Sequence, residues 1–237
     1  MTTQSAKFAV AFLLLSQCAQ AALWNVDFGS DTRGGGPPPP TKTGFAATGI
    51  SVSDYWNFYS DDYPDGSYKA DGYLANLKNA GGVTTGVGIT VNNADGAWGY
   101  ASSDPMLANY IYSLSDNLQT IVTVTNLPAG TYNFYLYGAD SHFDLQVGAT
   151  DYGTKISYDT IVNPPPWVEG QEYVRYANVP VGAGQSVVLT PGAGTDYPKG
   201  IIGGMQMELV PEPGCAVLLG FSGLFLAWRI RKQPCPD

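Results

Sequence analysis

The chain has 237 residues, with 20 acidic against 11 basic side chains and a net charge of −9. So acidic a polypeptide is unsuited to nucleic acid or anionic lipid, whose binding depends on clustered Lys and Arg. A single histidine rules out a histidine-rich metal centre, and the three cysteines (Cys18, Cys215, Cys235) all lie outside 23–210, which removes disulfides, thiolate catalysis and cysteine-based zinc sites from that part.

At the start, Lys7 precedes the apolar run Phe8 to Leu15, and Ala19-Gln20-Ala21 supplies a small-x-small cleavage site. Residues 1–22 therefore read as a secretory signal peptide, cut after Ala21 or Ala22. Cys18 raises a lipoprotein alternative, but Gln17 is too large for the small residue such a site needs. Residues 23–210 are long enough for one domain with a real core. From 24 to 210 there are 7 Lys plus Arg against 18 Asp plus Glu, a charge of −11. Gly34 to Pro40 is a stiff, exposed spacer.

Strands are expected at Trp24–Phe28, Gly86–Asn92, Ile121–Thr125, Tyr132–Tyr137, Phe143–Val147, Glu172–Val179, Ser186–Thr190 and Met205–Leu209, where apolar residues alternate or β-formers gather. The turn Leu127-Pro-Ala-Gly130 predicts an antiparallel hairpin between the strands on either side of it. Pro180 to Gly184 is a second turn. Met106 to Leu114 is the nearest approach to a helical stripe and reads equally well as strand. Many short strands, Gly/Pro turns and no alternating helices predict an all-β fold: a single antiparallel β-sandwich, jelly-roll-like.

Seven of the twenty residues from 54 to 73 are aromatic, interleaved with Asp54, Asp61, Asp62, Asp65 and Asp71. Flat rings stack on sugar faces while carboxylates take the hydroxyls. Trp56, Tyr59, Tyr63, Trp98 and Trp167 are thus candidate carbohydrate contacts, although core packing is the favoured reading of Trp56 and is open to Phe58 as well. Asp61, Asp62 and Asp65 are candidate ligands of a structural calcium, without the spacing of an EF-hand. Catalytic signals are thin. His142 sits on the polar face of a strand, and no acidic pair is marked out for glycoside hydrolysis.

The last segment, 211–237, begins with Pro211-Glu212-Pro213 and continues as an apolar run from Gly214 to Trp228, about 22 Å of helix. That is short for a ~30 Å hydrocarbon core, but Arg229, Arg231 and Lys232 can snorkel and should stay cytoplasmic, leaving the domain outside. This three-part order resembles the sorting signal of the PEP-CTERM proteins. The resemblance implies an exosortase as partner, a transient inner-membrane anchor through a transmembrane helix, and a final place at the cell surface or outside it. A single-span permanent anchor is the alternative.

Asn25-Val-Asp-Phe-Gly29, Asp54-Tyr-Trp-Asn57, Leu127 to Gly138 and Gly203 to Glu208 resemble scattered pieces of bacterial surface modules with galactose-binding-like or jelly-roll folds. That likeness implies a β-sandwich, often carbohydrate-associated. The expected function is a non-catalytic module binding polysaccharide or surface partners. The alternatives are a secreted glycan-active enzyme and a structural surface protein with no specific ligand.

Overall fold

A computed structural model of the chain describes residues 22–31, 41–63, 65, 67–99, 102–115, 118–158, 164–195 and 198–211. The signal segment up to residue 21 and, in the sorting motif, Glu212, Pro213, Arg229, Arg231 and Lys232 lie outside them; Pro211 is described and exposed. Among the described residues no helix is long and apolar enough to cross a membrane.

In chain order the strands are β1 (Leu23–Gly29), β2 (Asn57–Ser60), β3 (Gly72–Leu74), β4 (Gly88–Asn92), β5 (Gly96–Trp98), β6 (Tyr110–Tyr112), β7 (Ile121–Thr125), β8 (Gly130–Tyr137), β9 (Ser141–Val147), β10 (Thr150–Ser157), β11 (Tyr173–Val181), β12 (Val187–Ala193), β13 (Ile201–Ile202) and β14 (Gly204–Leu209). They form a five-stranded sheet β11-β8-β14-β1-β2, a six-stranded sheet β10-β9-β12-β7-β4-β3 and a small sheet β13-β6-β5. The fold is the expected all-β sandwich. Among the strands described, pairing is antiparallel except for β1 with β2, where Val26 to Gly29 run parallel to Asn57 to Ser60.

Alternation decides the core. From the five-stranded sheet come Trp24, Val26, Phe28, Phe134, Leu136, Met205 and Met207; from the six-stranded sheet come Ile89, Val91, Val122, Val124, Phe143, Leu145, Val187 and Leu189. The 106–114 region, ambiguous in sequence, is a turn followed by β6.

The predicted hairpin between 121–125 and 132–137 does not form. β7 pairs with β4 and β12, while β8 pairs with β11 and β14 in the other sheet. The segment between them is an arch. Asn126 adopts a left-handed φ of 57°, turning the chain across the ~10 Å gap between sheets. Leu127, 2% exposed, plugs that end of the core, and the Tyr132 hydroxyl donates to Pro128 O at 2.8 Å. Alternation reports which face of a strand is buried, but not in which sheet it lies. The turn at 182–185 likewise passes the chain from β11 to β12 across the two sheets. The true tight hairpin is β9–β10, with Val147 opposite Thr150 and Gly148 at a φ of 55°.

Leu189 is fully buried on β12, between β7 and β9. Leu189→Ala is expected to cost about 2–5 kcal/mol in a denaturant titration, as a cavity in a two-layer core does.

Candidate functional site

The domain's two ends are chemically different. Leu23 pairs with Glu208, and Leu209 N–H donates to Ala22 O at 2.8 Å, so the chain enters and leaves the sandwich side by side. Following β1 from Leu23 to Gly29 leads about 20 Å to the opposite end. There lie the 61–71 and 102–109 loops and the small sheet, whose β13 immediately precedes β14.

The small sheet carries an aromatic cleft of about 240 Å³ lined by Trp98, Tyr110, Tyr112, Pro198, Lys199 and Ile201. Trp98 is 60% exposed on β5, directly opposite Tyr110 in the register. Tyr110 and Tyr112 meet at 6.0 Å between ring centroids, and Ile201 pairs with Tyr112 to close the floor. Lys199 is held at the rim by donating from Nζ to Leu114 O. An exposed indole beside tyrosines and one cation offers a flat apolar face with donors at its edge, the combination that a pyranose ring fits.

A second cleft, about 400 Å³, opens where the edge strands β2 and β3 of the two large sheets part; Tyr59, Ser60, Lys69, Asp71 and Tyr73 line it. Tyr73 is 77% exposed, while Asp71 is occupied by Asn92 Nδ2 at 3.0 Å and Asn93 N–H at 3.2 Å.

The structure divides the five aromatic candidates. Trp98 and Tyr63 are exposed, Tyr63 at 48% and with Lys69 Nζ 5.9 Å above its ring. Trp56 is 2% exposed, donates from Nε1 to Gly44 O at 2.9 Å and packs edge-on to Tyr137, so it is a core residue. Tyr59 is 3% exposed and packs on Phe28 at 6.0 Å; it forms a wall, not a platform. Trp167 is partly buried edge-on against Tyr137 at 5.2 Å, with Lys42 Nζ 5.6 Å from its ring centre. β2 accounts for Tyr59, which strand alternation turns into the main core beside Phe28, whereas Trp56 precedes β2 and is buried in the separate cluster with Met106, Leu107, Tyr135 and Tyr137. Tyr110, Tyr112, Pro198, Lys199 and Ile201 escaped the sequence reading. Tyr110-Ile-Tyr112 signalled a strand but not the partner it would find ninety residues later.

The three calcium candidates do not converge. The segment 61–69 folds back on itself, with Lys69 N–H on Asp61 O at 2.6 Å and Tyr63 N–H on Ser67 O at 2.7 Å. Asp65 is left at the exposed tip, bonded to Ser67 N–H at 3.0 Å and Ser67 Oγ at 2.6 Å, which lowers its pKa. Asp62 accepts Ser30 Oγ on both oxygens at 2.8 Å, and Asp61 is wholly buried at the base with neither oxygen hydrogen-bonded. Among the described residues no three acidic or histidine side chains gather to hold a metal. The donor set does not fit a calcium site built from these three aspartates.

No family model matches the chain, and no curated protein matches it. Among solved structures it is similar to TmCBM61 in complex with beta-1,4-galactotriose, at 15% identity and a TM-score of 0.27, over 50% of this chain and 80% of that one. A likeness of that size bears on neither ligand nor site.

Burial, then the charge of Asp62, pushes the Asp61 carboxyl up to about 8, with Lys69 opposing and Asp95 adding to the rise. Between the ordinary value of 3.8 and that figure the unfolded chain releases a proton that the folded one keeps. Stability therefore falls as pH rises through this window. The melting temperature is expected to be higher at pH 5 than at pH 8. Asp61→Asn flattens the slope and exceeds the wild type at pH 8; a wild-type melting temperature that climbs with pH would contradict this.

Proposed function

We propose that this chain is a non-catalytic module, exported to the cell surface or matrix, that holds polysaccharide in the Trp98 cleft. The observation that carries the reading is the indole of Trp98, 60% exposed on a rigid strand and continuous with an aromatic floor. A single exposed aromatic marks nothing, but one continuous with an apolar cleft offers an interaction surface, and this cleft is too small for a drug-sized molecule but suits one sugar ring. The strong negative charge of 23–210 favours neutral or cationic glycans over anionic ones.

We further propose that delivery runs through the Pro211-Glu212-Pro213 signal, with an exosortase acting near it and the apolar segment as a transient inner-membrane anchor. The junction at Leu209 lies at the opposite end of the sandwich from β13 and its cleft.

Retention on a panel of immobilised polysaccharides tests the binding reading. Trp98→Ala is expected to weaken retention about tenfold, equivalent to about 1.4 kcal/mol, while Tyr73→Ala leaves it unchanged. The reverse pattern would move the site to the β2–β3 cleft, and release of reducing sugar would make the chain an enzyme. No retention on any glycan leaves a structural surface protein. For sorting, the mass recovered from exosortase-competent cells is expected to lack 214–237; persistence of those residues there would sink that part.

A further inference from the structure

Lys42, Asp104 and Asp27 meet on the outer side of the five-stranded sheet. Lys42 Nζ forms an ion pair with Asp104 Oδ2, and the two residues are only 6% and 8% exposed. Asp104 Oδ1 accepts Met106 N–H at 3.1 Å. Asp27, 2% exposed on β1, accepts the backbone N–H of Lys42 on Oδ2 at 3.0 Å, while its Oδ1 has no partner. Trp167 roofs the group, its ring centre 5.6 Å from Nζ.

As a simple ion pair this arrangement is poorly satisfied. An ammonium carries three protons, yet Asp104 is its one hydrogen-bond acceptor among the described residues. Three ionised groups would also leave a net negative charge out of water, where even a balanced pair struggles to offset its desolvation. The same atoms are well placed for a condensation. Nζ touches the oxygen carried by Cγ of Asp104, solvent is excluded, and a third carboxyl with a spare oxygen stands beside both.

We propose that Lys42 and Asp104 are joined by an intramolecular isopeptide bond, Nζ to Cγ, with Asp27 relaying the proton. Proton transfer within the pair first gives a neutral amine and a carboxylic acid. The amine lone pair attacks Cγ and the C–N bond forms. Asp27 takes a proton from Nζ and hands one to the departing Oδ2, the C–O bond breaks, and one water leaves. Asp27 ends as it began, and no oxidant or co-reactant is consumed. The product suits the site better than the reactants: an amide nitrogen has one proton to place, Oδ1 remains as the carbonyl that accepts Met106 N–H, and two buried charges are gone. Burial, against the Lys42 N–H bond, pushes the Asp27 carboxyl up to about 7, with Asp104 raising it further and Lys42 lowering it, so near neutrality it can both hold and release a proton. The bond would close a loop of 62 residues' separation, acting on the unfolded chain as a disulfide does in exported proteins.

The test is a tryptic digest of the purified full chain. A modified Lys42 is not cleaved, so residues 34–69 are expected to appear joined to 79–155, one water lighter than the two peptides together. Lys42→Met and Asp104→Ala abolish the joined species. Asp27→Asn, nearly the same shape but unable to relay a proton, abolishes it too while keeping a cooperative melt. Recovery of 34–42 and 79–155 as separate, unmodified peptides from folded wild type would overturn the bond. A joined species in Asp27→Asn would overturn the relay. Should Asp27→Asn fail to fold, the wild-type digest still decides the bond, and Asp27→Glu, with its proton restored, is expected to show the joined species.

Discussion

Everything else in this molecule depends on a five-stranded sheet that is covered on both faces. β1 has no exposed residue from Leu23 to Gly29. Trp24, Val26 and Phe28 enter the sandwich core, which leaves Asn25 and Asp27 on the outer side, beneath the segment 41–56. Polar groups placed there without water must find partners or cost about 1–3 kcal/mol each. Except for Asp27 Oδ1, most do so through a ladder across the strands. Gln206 Nε2 donates to Asn25 Oδ1 at 2.8 Å and to Thr48 O at 3.1 Å, and its Oε1 accepts the Tyr137 hydroxyl. Glu208 Oε2 takes Asn133 Nδ2 at 2.8 Å and the Tyr135 hydroxyl at 3.0 Å. This ladder glues the irregular 41–56 segment to the sheet, and a small apolar cluster of Trp56, Met106, Leu107, Tyr135 and Tyr137 completes the seal.

The covered outer face explains why chemistry gathers at one end. With both faces of β1, β8 and β14 sealed, open surface on this sheet is confined to its edges and its loops. The chain repeatedly crosses between the large sheets, so the loops at each end are arches held by the core instead of free hairpins. At the end remote from Leu209, the connection from β4 to β7 supplies Trp98 and Tyr112, and the crossing from β12 to β14 brings Ile201 to them. Rigid strands beneath a cleft limit the ordering cost of binding, which is the usual reason a sandwich carries sites at its ends.

The buried carboxylates belong to the same logic. An acidic domain without cysteines has few means of stiffening its loop-rich end, yet Asp27 and Asp61 are held at 2% and 0% exposure there. Asp61 sits where its N–H must pair with Gly29 O at 2.8 Å, continuing the parallel β1–β2 contact, so the backbone takes the side chain inside. Asp27 follows from strand alternation opposite Phe28. Their raised pKa values are consequences of backbone placement, and that placement gives Asp27 the environment in which a proton can be passed.

The sandwich class was legible in the sequence, because strand alternation is local: Val122/Val124, Phe143/Leu145/Val147 and Met205/Met207 each name a buried face without outside help. Charge and the position of the cysteines are equally local, and so are the composition of the 211–237 segment and the exclusions that follow from them. Partnership between strands was not legible. The turn at Leu127 to Gly130 suits a hairpin or an arch equally, and only competition among all strands for neighbours sends β7 and β8 to opposite sheets. For the same reason the aromatic stretch 54–73 looked like a platform, until pairing of β2 with β1 turned Tyr59 into the core and Trp56 was buried against Tyr137 on the sheet's outer side. The cleft around Trp98 and the meeting of Asp27, Lys42 and Asp104 join residues tens of positions apart. Sequence reports what each side chain can do, but which side chains meet is decided by burial on both faces of β1, and burial is a property of the whole fold.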